Sequence, residues 1–394
     1  METTLPKMDL NNLDKSDWQT FRFDQIAKSV SERVDPNNTD LETYIGLEHL
    51  DGESIHIKRF GTPDDVNGQK LRCYPGDVIF GKRRAYQRKA AIVNVDAFCS
   101  AHAMVLRANP DVIDPKLFPF FLHSDSFMHR AIDISVGSLS PTINWKTLRV
   151  QEFLLPPKDQ QARIAELLWA MDEVVQKDIT LVSRITDTSL SNTSEFFKDR
   201  KSNFTHLESV AEIRYGITLN SKRRELEHQA PYLRVANVAR DKISLEEVKN
   251  MGCTKSELDR FSLHDLDVLI VEGHADIKEI GRAALWKSSN LEPMIHQNHL
   301  IRVRCNDCLR PEVLCSYVNS AQGQLYFQRN SKSTSGLNTI NSTVVKKFKV
   351  PRISHEDQSF FIKRKGLLDK QLIEQSRRLS SSLELQKSLI NQVF

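Results

Sequence analysis

The chain has 394 residues, 40% hydrophobic and 27% charged, ordinary values for a folded, water-soluble protein of two or three domains. Lys and Arg total 55 against 51 Asp and Glu, and a net charge of +4 neither announces nor excludes a polyanionic partner. No apolar run nears the ~18 residues of a membrane helix, the N-terminus M-E-T-T-L-P-K-M-D-L-N-N lacks a signal-like stretch, and six cysteines are too few for a disulfide scaffold, so a cytoplasmic protein without a membrane partner is expected.

Met1 to Asp14 reads as a polar extension. Residues 15–156 begin with strand-like runs rich in Val, Ile, Tyr and Phe: Tyr44–Leu47, Asp77–Phe80 and Ala103–Leu106. A short amphipathic helix opened by Pro115 carries Leu117, Phe121, Met128 and Ile132 at helical spacing. A polar loop and a short strand ending at Pro156 follow. Residues 157–203 hold a long helix free of Gly and Pro, then the polar linker K-D-R-K-S-N. Ile164, Leu168, Met171, Val175, Val182 and Ile185 form its narrow apolar stripe, interrupted by Asp178. Such a stripe suits a coiled-coil seam, and ~35 helical residues extend about 50 Å.

The order then begins again. Residues 204–352 show Tyr232–Val235, Asp267–Val271 and Leu300–Val303 as strands, then a helix opened by Pro311 with Val313, Tyr317 and Leu325, a polar loop, and a strand ending at Pro351. Residues 353–394 form a second long helix with Phe361, Leu368, Leu372, Leu379, Leu389 and Val393 in its stripe, and Ser382 and Gln386 in the seam.

Six segments match between the halves in one order, among them L-R-C-Y-P-G-D-V-I-F-G (71–81) with R-F-S-L-H-D-L-D-V-L-I-V-E-G (260–273), and H-A-M-V-L-R-A-N (102–109) with H-L-I-R-V-R-C-N (299–306). The offset stays between 188 and 197 residues, so the chain is two copies of one unit. The fold class is α+β, with two repeated α/β domains joined by two long, paired helices.

Catalytic motifs are missing. Gly76 to Arg83 fits G-x4-G-K, but Arg83 stands where a P-loop needs Ser or Thr, and Val78, Ile79 and Phe80 read as a strand. There is no G-x-S-x-G, H-E-x-x-H, G-x-G-x-x-G or N-P-P-[FY]. Pro63-Asp64-Asp65 with Lys70 offers only a nuclease-like scatter of charge, read as a solvated loop. Cys305, Cys308 and Cys315, with His296 and His299 upstream, lack the second C-x2-C that a zinc site would need, and read as small buried residues.

Basic clusters say more. Lys82, Arg83, Arg84, Arg88 and Lys89 crowd one acid-free window around Tyr86; Lys222, Arg223 and Arg224 form a second cluster. Arg329 and Lys332 flank the polar loop of the second copy. Ser138, Ser140, Thr142 and Asn144 in one polar loop, and Thr334, Ser335, Asn338 and Asn341 in the other, are short groups able to reach phosphates or base edges. Where the first copy has G-K-R-R-A-Y-Q-R-K, the second has E-G-H-A-D-I-K-E-I-G-R: one scaffold with divergent loop chemistry.

From about Trp18 to Phe394 the chain resembles the specificity subunits of type I restriction–modification enzymes. In each half the resemblance rests on a G-D-V-I-F or L-D-V-L-I strand, a G-S-L-S-P-T-I-N or S-G-L-N-T-I-N loop, and an L-P-P-x-x-x-Q helix opening, here L-L-P-P-K-D-Q-Q-A-R-I. The second opening is degenerate, with Pro351, His355 and Gln358 loosely placed. The resemblance implies two target recognition domains, each followed by a conserved helix, the helices pairing antiparallel with approximate two-fold symmetry. It implies a non-catalytic subunit that reads double-stranded DNA and recruits two modification subunits and, through them, restriction subunits. S-adenosylmethionine, ATP and Mg²⁺ would belong to those partners, with no cofactor or metal on this chain. The target would be bipartite and asymmetric, with a spacer fixed by the helices. The competing readings are an autonomous nuclease or methyltransferase, and a pseudo-symmetric scaffold that does not bind DNA.

Overall fold

A run that is apolar at every position must be covered on both faces, and Val78–Phe80 and Val268–Val271 are buried throughout. The computed structural model describes residues 13–198, 203–287, 293–334 and 336–394, without the side chains of Arg224 and Thr334. In it each run is an inner strand of a four-stranded antiparallel sheet. The first sheet is ordered Ala27–Val30, Met104–Ala108, Val78–Phe80, Ala90–Ile92. The second is ordered Ala211–Tyr215, Leu300–Cys305, Val268–Val271, Ala283–Leu285, the same sequence of equivalents. A further sheet in each copy contains a parallel pair, Tyr44–Ile45 with Ala97–Cys99 and His228–Leu233 with Ile295–His296. The strand leading to each long helix, Glu152–Leu155 or Lys349–Pro351, pairs antiparallel with Gln19–Arg22 or Phe204–His206. The duplicated sequence is a duplicated topology.

The helix read after Pro115 is two helices, Phe118–His123 and Asp125–Asp133. Ser124 breaks it, and its hydroxyl accepts the Phe127 N–H at 3.2 Å. In the second copy Ser320 breaks Pro311–Asn319 from Ala321–Asn330 and accepts the Gly323 N–H at 3.3 Å. Apolar spacing hides the break because Phe121 and Met128 both reach the core; the capping serine is its only local signal.

Buried polar side chains tie each copy together identically. The Gln161 amide accepts from Asp114 N–H at 2.7 Å and donates to the carbonyls of Val112 and Pro156 at 2.9 and 2.8 Å. Gln358 accepts from Arg310 N–H at 2.7 Å and donates to Cys308 and Ile353 at 3.0 and 2.9 Å. The loosely placed second opening is therefore a full structural equivalent, and a buried amide with three partners explains why glutamine stands there. Asp77 accepts two bonds from Arg107 at 2.6 and 2.9 Å, and Asp267 accepts two from Arg304 at 2.8 and 2.7 Å.

The chain divides into two units, one reaching to Thr180 and completed by Ser376–Phe394, the other Leu181–Gln375. The long helices, Lys158–Lys198 and His355–Val393, each give one half to each unit. In the first unit Ile164, Leu168 and Val175 are buried, and Ile390 and Val393 join the same core as Ile164 and Leu168. Met171, Leu379 and Leu389 are half-buried. Asp178 accepts from Ser382 at 2.8 Å and pairs with Arg378 at 3.0 Å, while Asp172 accepts from Gln386 at 3.1 Å and meets His56 at 2.6 Å. Rising numbers on one helix meet falling numbers on the other, so the pairing is antiparallel, and the polar seam residues bond one another. In the second unit Arg364 donates to Asn192 at 2.7 Å and the Phe196 and Phe361 rings stack at 4.4 Å, again antiparallel. Val182, Ile185, Leu368 and Leu372 are only half-buried there.

Candidate nucleic-acid interface

In the first unit the chain leaves the core strand at Gly81, whose N–H bonds the Lys89 carbonyl at 2.8 Å and closes residues 82–88 into a loop. Arg84 and Arg88 take left-handed conformations at φ 55° and 51° on either side of a turn that buries Ala85. The polar loop docks on this basic loop: Arg84 N–H donates to Pro141 O at 2.7 Å and Ile143 N–H to Lys82 O at 2.9 Å. Val136 and Thr142 exchange both backbone bonds, so residues 136–142 form a small hairpin with Leu139, 92% exposed, at its tip. Two separately read clusters are thus one surface.

Their side chains divide. Arg84, Tyr86, Ser138 and Asn144 are exposed, and Ser140 and Thr142 half-exposed, the Thr142 hydroxyl donating to Ser140 O at 3.1 Å. Arg83 lies 3.5 Å from His102 Nδ1. Burial, with Arg83, Lys82 and Lys70 close by, holds the His102 imidazole below its usual range, and burial with Arg33 lowers the Lys82 ammonium. Arg33 therefore joins the cationic patch, although it stands far from the basic window in sequence; Lys70 beside it donates to the carbonyls of Asn67 and Gly68, and His102, with its imidazole lowered, adds no fixed charge to the patch. Arg88 leaves it: its guanidinium donates to His123 O at 2.6 Å and pairs with Asp125 at 2.8 Å and Glu53 at 3.4 Å. Lys89 likewise donates to Leu47 O at 2.7 Å.

The second unit builds the same junction. Gly273–His274 pairs with Leu337–Thr339, which pairs with Lys332–Thr334, and Ile340 N–H donates to Glu272 O at 2.9 Å as Ile143 does to Lys82. Lys222, Arg329 and Lys332 are exposed. Arg223 is not a free cation: it holds Glu257 with two bonds at 2.8 and 3.0 Å and reaches the Thr218 and Gly252 carbonyls. The arginine, more than the helix cap at Thr254, holds the Glu257 carboxyl down to about 2. Asn338 donates to the carbonyls of His274 and Ala275 at 3.3 and 2.9 Å, and Asn341 caps a helix by accepting from Val344 N–H at 3.0 Å. Ser335 and the side chains of Arg224 and Thr334 lie outside the description.

Other candidates resolve into structure. Asp65 accepts the Thr62 N–H and hydroxyl in a turn. Burial raises the Cys305 thiol to about 12, Cys308 is exposed, and Cys315 is buried against Asp241 at 3.5 Å. Among the described residues no three His, Cys, Asp or Glu side chains converge on a metal position.

Residues 15–181 match the family described as the type I restriction modification DNA specificity domain. The match extends beyond this domain in the EcoKI specificity subunit of Escherichia coli K12, 22% identical over 365 residues, 87% of this chain and 70% of that one. Over most of its length the chain is similar to type I specificity subunits. Similarity to the E. coli EcoDI specificity subunit is 24% over 189 residues, 46% of this chain and 42% of the relative, so the alignment spans less than half of that protein. The type I S subunit of M. genitalium shares the fold at a TM-score of 0.57 and 16% identity, covering 97% of this chain and 98% of that one. A chain from a type I R-M system shares it at 0.59 and 18%, covering 95% and 96%.

Proposed function

We propose that the chain is the DNA-reading, non-catalytic subunit of a type I restriction–modification complex, each unit reading one block of a bipartite, asymmetric target. One observation carries this: the two units keep the same sheet order and the same buried bonds, yet present different side chains where the strand-end loop meets the polar loop. A scaffold held constant around variable exposed groups is the arrangement of two readers with two sequences. In the first unit Arg33, Lys82, Arg83 and Arg84 would take phosphates, which position a protein on DNA and make its affinity salt-dependent. Two modification subunits would supply methyl transfer from S-adenosylmethionine, and restriction subunits the ATP- and Mg²⁺-dependent cleavage.

Methylome sequencing of a host with and without the gene tests the proposal, with the modification genes present in both. A new two-block motif dependent on this chain is expected, and an unchanged methylome overturns it. In binding assays on that motif, replacing Arg83 and Arg84 by Ala should lower the slope of log affinity against log salt by roughly one unit per lost contact, leaving the motif intact. An unchanged slope would remove the first-unit loop from the interface.

A further inference from the structure

The two strand-end junctions carry opposite charge at one place. Strand register fixes the equivalence: Val78 faces Leu106 in the first sheet and Val268 faces Val303 in the second, which sets His102 opposite its counterpart His299. The bonds from Ile143 and Ile340 identify Lys82 with Glu272, and the next residues are Arg83 and Gly273. The first unit therefore presents two cations beside its histidine. The second presents a carboxylate, with Glu272 Oε2 2.7 Å from His299 Nδ1.

We propose that Glu272, positioned by His299, is a base-reading group of the second unit that accepts from the exocyclic amino group of a cytosine or an adenine. The inference rests on the DNA-reading function above. A carboxylate cannot hold a phosphate, and against the polyanionic backbone it costs affinity by like-charge repulsion. It is useful on a DNA-facing surface only where it meets a donor, and the major-groove donors are cytosine N4 and adenine N6. The geometry favours this use. The Glu272 side chain is only 20% exposed, so it is held rather than mobile. His299 engages one oxygen, and among the described residues Oε1 makes no hydrogen bond, leaving an acceptor aimed by a fixed partner. The neighbouring Gly273 replaces the arginine side chain of the first unit, and with it a group that would compete for the carboxylate. Equivalent positions thus approach the duplex differently, one through the backbone and one through a base edge.

The test uses the full chain assembled with its modification subunits and a set of duplexes carrying every single-base change in the block read by the second unit. E272Q should reduce discrimination at one position of that block by about tenfold or more, leave the other block unchanged and keep or raise affinity for unrelated DNA. Whether the lost preference is for cytosine or for adenine names the base. E272D, which keeps the charge but withdraws the oxygens, should weaken the same position, and checks the result should E272Q fold poorly. Unchanged discrimination at every position, with specific binding intact, overturns the inference alone. A wild-type complex without any sequence preference overturns the DNA-reading function itself.

Discussion

Asp77 grips Arg107 in the first unit as Asp267 grips Arg304 in the second, and Gln161 and Gln358 each satisfy three backbone groups, whereas positions 82–83 and 272–273 share no side chain. The difference follows from burial. A buried polar group that loses its partner costs free energy in either unit, so the pairing persists; an exposed group costs little and is free to follow a ligand. The comparison also separates look-alikes. Lys82 and Arg84 sit in one window with Arg88, yet only Arg88 has three protein partners.

The largest expected effect strikes what the units share. Replacing Gln161 or Gln358 by Leu strands one N–H and two carbonyls, and each variant should lose roughly 3 kcal/mol in denaturant unfolding, since a buried unsatisfied group costs about 1–3 kcal/mol. Similar losses at the two sites would sharpen the equivalence; a loss at Gln161 alone would break it.

A second test uses acid. His123 is buried and bonds the Ala90 carbonyl at 2.6 Å, while its counterpart Asn319 bonds Ala283 O at 2.8 Å. Burial holds the His123 imidazole at about 4 and, in the second unit, His296 at about 4 where the first has Cys99. Both folded values lie below the unfolded value near 6.5, so stability is complete above that pH and falls as protons bind the unfolded chain between about pH 6.5 and 4. A displacement of this size is worth at most about 3 kcal/mol per histidine. His123→Asn should remove the acid-dependent part from the first unit alone, leaving the His296 part, as read from unfolding midpoints across that range. An unaltered pH profile would show that His123 is not held neutral by the fold.

The smallest effect concerns Gly76 and Leu266, equivalent left-handed residues at φ 90° and 65°. A side chain at Gly76 meets nothing within 4 Å, so the cost there is conformational, about 1–2 kcal/mol. Leu266→Gly should therefore stabilise by about 1 kcal/mol and Gly76→Ala destabilise by about as much, measured by thermal unfolding.

The repeat, the buried strands and the long helices were legible because each rests on a pattern along the chain: matched segments, continuous apolar runs, a stripe without Gly or Pro. What was illegible depends on partners distant in sequence. Nothing near Arg223 announces Glu257, nothing in the basic window announces Arg33, and a lone His102 becomes informative only beside Arg83. Asp178 reads along the chain as an interruption of the stripe, and only the fold brings Ser382 to it and Gln386 to Asp172.

The first unit takes its last piece from the far end of the chain: Ile390 and Val393 are buried in its core, the Phe394 ring lies 5.3 Å from that of Phe121, and Asn391 bonds Asp125. During synthesis this unit is made first but can close only after the whole of the second has been translated, reversing the usual order in which an N-terminal domain completes itself. Premature termination or proteolytic loss after Gln375 would therefore spare the unit nearest the cut in sequence and open the one made earliest. A chain that stops short lacks the residues that finish the core of its first unit.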